Sequence, residues 1–444
     1  MPAYGELPRL TVIGTGYLGA THAICMAVLG YQVLGVDVDA AKVDRLNAGE
    51  VPFFEPGLPE LLAKALESGR LRFSTSFAAA ADLGDVHFLC VGTPQRHGSD
   101  AADLSYVDSA VRSLAVHLHR PALVVGKSTV PVGTAARLTA VIHELAPAGA
   151  GVELAWNPEF LREGYAVDDT MRPDRLVFGV ASDSALERLR ASFAPILEGG
   201  TPVVVTDLAT AELVKVAANS FLATKISYIN AMAEVCEATG ADVSDLAIAL
   251  GHDSRIGRRF LHPGLGFGGG CLPKDIRAFT HRATELGAGQ AVAFLREVDA
   301  INQRRRARTV DLVRELLGGR LAGARVAALG ASFKPNSDDI RDSPALDVAS
   351  TLRELGAAVR VFDPVALDNA RRTHPELEYG DSALGVARDA DVVVLLTEWA
   401  EFRQIEPEAM GGVVRHRRIV DGRHALDREQ WRAAGWQYRA LGRP

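Results

Sequence analysis

The sequence predicts an α/β fold, with two doubly wound parallel-sheet domains joined by a central helical domain built on a long helix. Three observations carry that prediction. Short apolar runs alternate with helical stretches in the first 206 residues and again from residue 320 onward. Between these regions, Ala209 to about Thr239 keeps apolar positions at helical spacing. A turn, Gly14-Thr15-Gly16-Tyr17-Leu18-Gly19, joins the first apolar run to the first helical stretch. The chain has 444 residues, 48% hydrophobic and 23% charged, which is a globular balance with material for two or three domains.

In order, Leu10–Ile13 reads as a strand, Tyr17–Leu29 as a helix and Gln32–Val36 as a second strand ending at Asp37. Leu10 to Val36 contains no Asp, Glu, Lys or Arg, a length that could span a bilayer. Five glycines, His22 and Gln32 interrupt it, no basic n-region precedes it and no signal-peptidase pattern follows, so a buried βαβ unit is expected and no membrane partner. Strands follow at Val86–Val91, Ala122–Gly126 and Val152–Trp156, and Leu176–Val180 with Pro202–Val205 closes the first domain. The long helix places Leu213, Val216, Ser220–Phe221 and Ile226 at helical spacing, and helical sequence runs to about Gly319, interrupted by the glycine-rich His262–Gly270. Arg325–Leu329, Val359–Phe362, Val392–Leu396 and Arg418–Val420 then form a smaller sheet. The expected domains are 1–206, 207–319 and 320–444. The basic run Arg304–Arg308 reads as a solvated or subunit-facing helix surface. A net charge of −7 gives no global field for nucleic acid. Four cysteines without CxxC or metal-ligand spacing suit a reducing cytoplasm and no metal.

The glycine turn has the GxGxxG spacing of a Rossmann-like dinucleotide site. Its first glycine makes the tight turn, its second lets backbone approach a pyrophosphate, and its third packs helix on strand. Asp37 stands 18 residues beyond Gly19, where its carboxylate would accept from ribose hydroxyls and repel a 2′-phosphate, so NAD is expected rather than NADP. Val91-Gly92-Thr93-Pro94 and Ser128-Thr129-Val130-Pro131 follow two further strands and should line the same crevice.

A second chemistry lies at His262–Asp275. Pro273 fits the first turn of a helix, which puts Cys271 at a helix N-terminus with Lys274 nearby, and both features favour a thiolate. Cys25, Cys90 and Cys236 read as buried apolar residues. Lys215 and Asn219 are one helical turn apart, either a polar spot on a buried element or part of an exposed stripe. Glu159 and Glu163, in Asn157–Gly164 after a strand end, could cap the next helix or serve catalysis; spacing alone does not choose.

Taken in order, GTGYLG at 14–19, VGTP at 91–94, KSTVPVGT at 127–134, NPEFLREG at 157–164, ELVKVAANSFLATKIS at 212–227, RIG at 255–257, GFGGGCLPKD at 266–275, SFKPNSDDIRDSP at 332–344 and DGR at 421–423 resemble the UDP-glucose/GDP-mannose dehydrogenase family over nearly the whole chain. The resemblance implies NAD-dependent, four-electron oxidation of a sugar nucleotide, UDP-glucose to UDP-glucuronate, through a thiohemiacetal and thioester on Cys271. It implies that Lys215 and Asn219 contact the sugar and the developing oxyanion, that Asp275 and Thr129 place the water, and that Glu159 is the general base. Gly14, Thr15, Gly16, Tyr17, Leu18, Gly19, Asp37, Lys42, Gly92, Thr93, Pro94, Ser128, Thr129, Glu163, Lys274 and Arg341 would surround NAD. Glu159, Phe160, Leu161, Arg162, Arg255, Leu265, Gly266, Phe267, Gly268, Lys334 and Arg423 would hold the sugar nucleotide, with Arg255 reaching across a subunit boundary of a homodimer or higher oligomer. The C-terminal domain would grip the uridine diphosphate. Two positions depart from the commonest family pattern: Gly270 replaces Ser, and Leu272 replaces Phe, a change also found in GDP-mannose members. GDP-mannose and UDP-N-acetylhexosamines therefore stand as alternative substrates. A two-electron β-hydroxyacid-type dehydrogenase is a further alternative that would not need Cys271, and a non-catalytic relative should lack Cys271, Lys215 or Asp275.

Overall fold

Eight short strands form the first sheet: β1 Leu10–Ile13, β2 Val33–Val36, β3 Leu71–Ser74, β4 Val86–Leu89, β5 Ala122–Gly126, β6 Val152–Trp156, β7 Leu176–Gly179 and β8 Val203–Thr206, in the order β3-β2-β1-β4-β5-β6-β7-β8. This is a computed structural model that describes residues 7–443; the outer ends assigned to the first and last domains, residues 1 and 444, lie outside the described residues. The chain divides into two compact units, one running to Ala218 with Arg277–Arg282 and the other comprising Asn219–Ile276 with Ala283 onward. The uncharged stretch forms β1, the helix Tyr17–Val28 and β2, with Leu10, Val12, Ile24 and Val36 fully buried. Among the described residues no helix is long and apolar enough to cross a membrane.

The first sheet departs from uniform parallel pairing at one join, where β6 meets β7 antiparallel through Trp156 and Gly179. Strand β3 was not expected from the sequence. Its residues Leu-Arg-Phe-Ser alternate buried and exposed at the sheet edge, so no continuous apolar run announces it.

In the second unit, β9 Arg325–Leu329, β10 Ala358–Phe362, β11 Glu378–Tyr379, β12 Val392–Leu395, β13 Arg418–Asp421 and β14 Gln437–Ala440 pair wholly in parallel, in the order β11-β10-β9-β12-β13-β14. Its order from the edge, third strand–second strand–first strand–fourth strand, repeats that of the first sheet. The turns correspond too: Gly14 N–H donates to Val36 O at 2.7 Å and Gly330 N–H to Phe362 O at 2.8 Å. In each, the acid after the second strand accepts from the next turn amide, Thr15 N–H onto Asp37 and Ala331 N–H onto Asp363, both at 2.8 Å.

The helix Leu208–Thr239 is continuous, as expected. Its apolar spacing does not mark one buried face, since Leu213 and Phe221 are exposed while Val216 is buried. The basic run on the helix Phe294–Leu316 also differs from expectation. Arg305 is 1% exposed and Arg306 is buried as well. Arg305 Nη2 lies 2.8 Å from Glu237 Oε1 and Arg306 Nη2 lies 3.1 Å from Asp342 Oδ1. Carboxylates of neighbouring elements meet the guanidinium forks, which is the condition under which arginine can be buried.

Candidate active site

The turn after β1 is built for an anionic ligand. Gly14 has φ +87°, and a Cβ on it would meet Val91 Cγ1 at 2.7 Å. A Cβ on Gly19 would come within 1.8 Å of Gly14 O, whereas one on Gly16 would meet nothing within 4 Å. The helix Tyr17–Val28 has no side-chain cap, so its N-terminal amides and positive dipole end open beside the space at Gly16. These glycines fit a dinucleotide pyrophosphate. Asp37 Oδ2 accepts from Thr15 N–H, from Thr15 Oγ1 at 3.1 Å and from Lys42 Nζ at 3.0 Å, and Oδ1 accepts from Asp39 N–H at 3.1 Å. Burial works to raise its pKa, but the Asp39 amide, the Lys42 ammonium and the Thr15 amide outweigh it and hold the carboxyl below its ordinary value. Lys42, expected beside the cofactor, is thus paired with the expected ribose acceptor. At the ends of β4 and β5, Thr93 Oγ1 donates to Thr129 O at 2.8 Å and Ser128 Oγ to Val91 O at 2.6 Å, with Gly92 and Pro94 exposed beside them.

Beyond β6 the same unit holds Glu159, Phe160 and Lys215 together. Lys215 Nζ is 3.2 Å from Glu159 Oε1 and 5.4 Å from the Phe160 ring centroid. Arg175 Cζ lies 3.9 Å from that centroid, and Glu159 Oε2 accepts from Leu161 N–H at 2.5 Å. Lys215 is 4% and Asn219 6% exposed, which settles the choice between a polar spot on a buried element and an exposed stripe in favour of the first. At the start of the helix Ala166–Met171, Ala166 N–H donates to a third carboxylate, Glu55 Oε1, at 2.7 Å. Arg162 is engaged with Asp169 at 2.6 and 2.9 Å. Beneath this segment, buried Lys127 donates to Asn157 Oδ1 at 2.8 Å, and burial lowers its pKa.

In the second unit Cys271 immediately precedes the helix Leu272–Glu285 and is exposed. Its carbonyl accepts from Asp275 N–H at 3.0 Å. The other three cysteines are buried; burial pushes Cys25 and Cys90 up to about 12 and raises Cys236. Lys274 Nζ donates to Asp275 Oδ1 at 2.6 Å, so its charge is shared with a carboxylate instead of being held for the thiol alone. Asn219 Nδ2 donates to Asp275 Oδ2 at 2.7 Å, which unites two of the expected residues.

The glycine-rich loop is held by residues the sequence did not single out. Gly264 N–H donates to Asn230 Oδ1 at 2.9 Å, and Asn302 both accepts from Phe267 N–H at 2.8 Å and donates to Phe267 O at 2.9 Å. Leu265 N–H donates to Gly422 O at 2.8 Å. A Cβ on Gly266 would fall 2.3 Å from Asn302 Oδ1. Asn230 stands eleven residues after Asn219, three helical turns along one face, and that spacing is the signal that could have found it. Arg423 donates to the carbonyls of Leu396, Gly266 and Phe333, using three of its five N–H groups. Lys334 Nζ lies 5.3 Å from the Phe333 ring centroid. Arg255 is paired with Asp253 at 2.7 Å on a largely exposed side chain. The Gly270 departure has a local reason, because a Cβ there would stand 2.2 Å from Arg341 Cζ, itself paired with Asp339. A serine would force that guanidinium aside.

Three profiles of the UDP-glucose/GDP-mannose dehydrogenase family match in sequence: the NAD binding domain over residues 8–197, the central domain over 209–304 and the UDP binding domain over 327–428. A UDP-glucose 6-dehydrogenase from Rhizobium meliloti (strain 1021) is 41% identical, covering 98% of this chain and 100% of that protein. The structure of a UDP-glucose dehydrogenase from the hyperthermophilic archaeon Pyrobaculum islandicum superposes with a TM-score of 0.92 at 37% identity, covering 100% of both chains. A UDP-D-ManNAc dehydrogenase from Pyrococcus horikoshii superposes at 0.85 with 29% identity, covering 98% of this chain and 99% of that one.

The arrangement offers an anion-binding helix start, a buried lysine–carboxylate pair and one accessible thiol. Brief iodoacetamide treatment of the native protein at neutral pH, read by peptide mass spectrometry, should alkylate Cys271 and spare Cys25 and Cys90. Comparable labelling of the buried pair would contradict the assignment.

Proposed function

The chain belongs to the UDP-glucose/GDP-mannose dehydrogenase family, and on that footing we infer that it oxidises the C6 alcohol of UDP-glucose to the carboxylate of UDP-glucuronate. The observation that carries this reading is the exposed Cys271 at a helix start, in a chain whose other cysteines are buried and hard to ionise. An oxidation that stops at the carbonyl needs no nucleophile, whereas retaining an aldehyde for a second oxidation does. NAD⁺, when bound, supplies a two-electron acceptor, needed twice for each alcohol taken to a carboxylate. Gly14, Gly16 and Gly19 with the helix start would hold its pyrophosphate, and Asp37 its ribose.

After the first oxidation, Cys271 Sγ adds to the aldehyde carbon, and the oxygen takes up a proton to give a thiohemiacetal. Loss of the remaining C6 hydrogen with its two electrons, as hydride, and of the hydroxyl proton leaves a thioester. Water then adds to its carbonyl and expels the thiolate, releasing the carboxylate. Lys215 and Asn219 stabilise the oxygen as charge develops on it. Glu159, held beside Lys215, takes the proton of the attacking water, and Asp275 with Thr129 places that water. Glu163, Lys274 and Arg341, with Thr15, Tyr17, Leu18, Lys42, Gly92, Thr93, Pro94 and Ser128, serve the dinucleotide. Arg255, the loop residues Leu265–Gly268, Lys334 and Arg423 hold the sugar nucleotide, together with Phe160, Leu161 and Arg162. In this reading residues 1–206 serve NAD, 207–319 the thiol and 320–444 the uridine diphosphate, and the enzyme works in the reducing cytoplasm.

The partner in assembly is a second copy of the chain. Phe221, Tyr228 and Val235, at seven-residue spacing on the helix Leu208–Thr239, are 67%, 51% and 52% exposed, an apolar stripe that two copies of the helix would bury. Sedimentation should give at least twice the 47.3 kDa of one chain, and Phe221→Glu with Tyr228→Glu should reduce it to one; a monomeric parent protein would contradict the stripe's role.

The activity is tested by incubating the protein with excess NAD⁺ and, separately, UDP-glucose, GDP-mannose and UDP-N-acetylhexosamines, and counting NADH per sugar nucleotide. Two NADH per UDP-glucose is the expected result. One NADH, or turnover only of another sugar nucleotide, would overturn the reading.

A further inference from the structure

Glu55 belongs to none of the strand-end loops, yet it is only 3% exposed and makes hydrogen bonds to two separate parts of the dinucleotide unit. Its Oε2 accepts from the Tyr17 hydroxyl, in the glycine turn, and from Gly164 N–H at 2.6 Å. Its Oε1 accepts from Ala166 N–H at 2.7 Å. Gly164 N–H is also 3.1 Å from the Tyr17 hydroxyl oxygen, and Phe53 packs on the Tyr17 ring with centroids 4.8 Å apart. Burial and the neighbouring carboxylate hold the Tyr17 phenol above its ordinary pKa, so it stays protonated and able to donate.

We propose that Glu55 is a positioning residue for the oxidation: it ties the segment carrying Glu159 and Glu163 to the turn that receives the pyrophosphate, so that the dinucleotide and the two carboxylates keep one register. This inference rests on the functional reading above. A helix cap alone does not require this arrangement. The helix Ala166–Met171 is short and has no side-chain cap of its own, but a cap would need neither the Tyr17 hydroxyl nor a residue from Val51–Gly57. The second oxygen and the phenol are what link the cap to the cofactor turn. Glu55→Gln keeps the shape, but it replaces one acceptor oxygen with an NH₂ that opposes an amide N–H. The segment loses one of its ties without losing volume.

The test compares the parent protein, Glu55→Gln and a control cap deletion, Ser182→Ala. Ser182 caps the helix Asp183–Ser192 by accepting from Ala185 N–H at 3.0 Å and lies after β7, whose antiparallel direction carries its end away from the ligand edge. NAD⁺ binding is titrated calorimetrically without sugar, kcat is measured with UDP-glucose, and Tm is recorded for all three. Glu55→Gln should bind NAD⁺ about tenfold more weakly and lose about tenfold or more in kcat, while Ser182→Ala stays within about twofold on both despite a similar loss of Tm. Should Glu55→Gln fail to fold, Tyr17→Phe, which removes only the linking hydroxyl, should shift both quantities in the same direction. Glu55→Gln or Tyr17→Phe indistinguishable from the parent, or Glu55→Gln no worse than Ser182→Ala, would overturn the proposal. A parent protein that binds NAD⁺ but leaves UDP-glucose untouched would overturn the substrate assignment, and the NAD⁺ titration of Glu55→Gln would still decide the role of Glu55.

Discussion

Parallel strand pairing is the constraint on which the other features depend. It sends strands out of a sheet along one edge and starts the following helices there, so amide donors and loop side chains collect at that edge. In the first sheet, Gly14, Asp37, Thr93, Ser128 and Asn157 all follow strands in this way. The second sheet does the same with Ala331, Asp363, Thr397 and Arg423. An acidic chain can thus accommodate anionic ligands because the donors are placed by topology and owe little to net charge.

The two sheets use the same device to different ends. Asp37 and Asp363 each close the turn after the first strand of their sheet. Asp363 is fully buried and accepts from the amides of Ala331, Ser332, Val365 and Ala366, the Ser332 hydroxyl and the Trp399 indole. A carboxylate with that many fixed partners has no lone pair left for a ribose. Asp37 has fewer donors, the Thr15 amide and hydroxyl, the Asp39 amide and the Lys42 ammonium on a partly exposed side chain, and in the proposed cofactor role a ligand hydroxyl takes the place of Lys42. The proposed cofactor acid and the structural acid thus differ in who donates to them.

This distinction also shows how far the sequence could be read. The glycine turn, Asp37 and the cysteine at a helix start were legible because each depends on residues close together in the chain. Glu55, Asn230 and Asn302 were not, because their partners Gly164, Gly264 and Phe267 lie far away in sequence and only folding pairs them. The run Arg304–Arg308 read as a solvated surface because Glu237 and Asp342, which allow Arg305 and Arg306 to be buried, belong to other elements. Strands β3, β11 and β14 escaped for a different reason: each is short and only half-buried, and β3 and β14 alternate polar with apolar residues. The antiparallel join of β6 and β7 left no trace in composition at all. Spacing on the helix Leu208–Thr239 identified Lys215 and Asn219 but could not say which face was buried; their ties to Glu159 and Asp275 say so.

The central claim is that carbon becomes covalently attached to Cys271 between the two oxidations. The most direct measurement is an acid quench of Glu159→Gln mixed with NAD⁺ and UDP-[¹⁴C]glucose, followed by peptide mapping. Without the base proposed for hydrolysis, label should accumulate as a thioester on the peptide containing Cys271 and disappear on treatment with hydroxylamine. NADH formation with every label remaining in small molecules, or label on any other residue, would contradict covalent catalysis at this thiol.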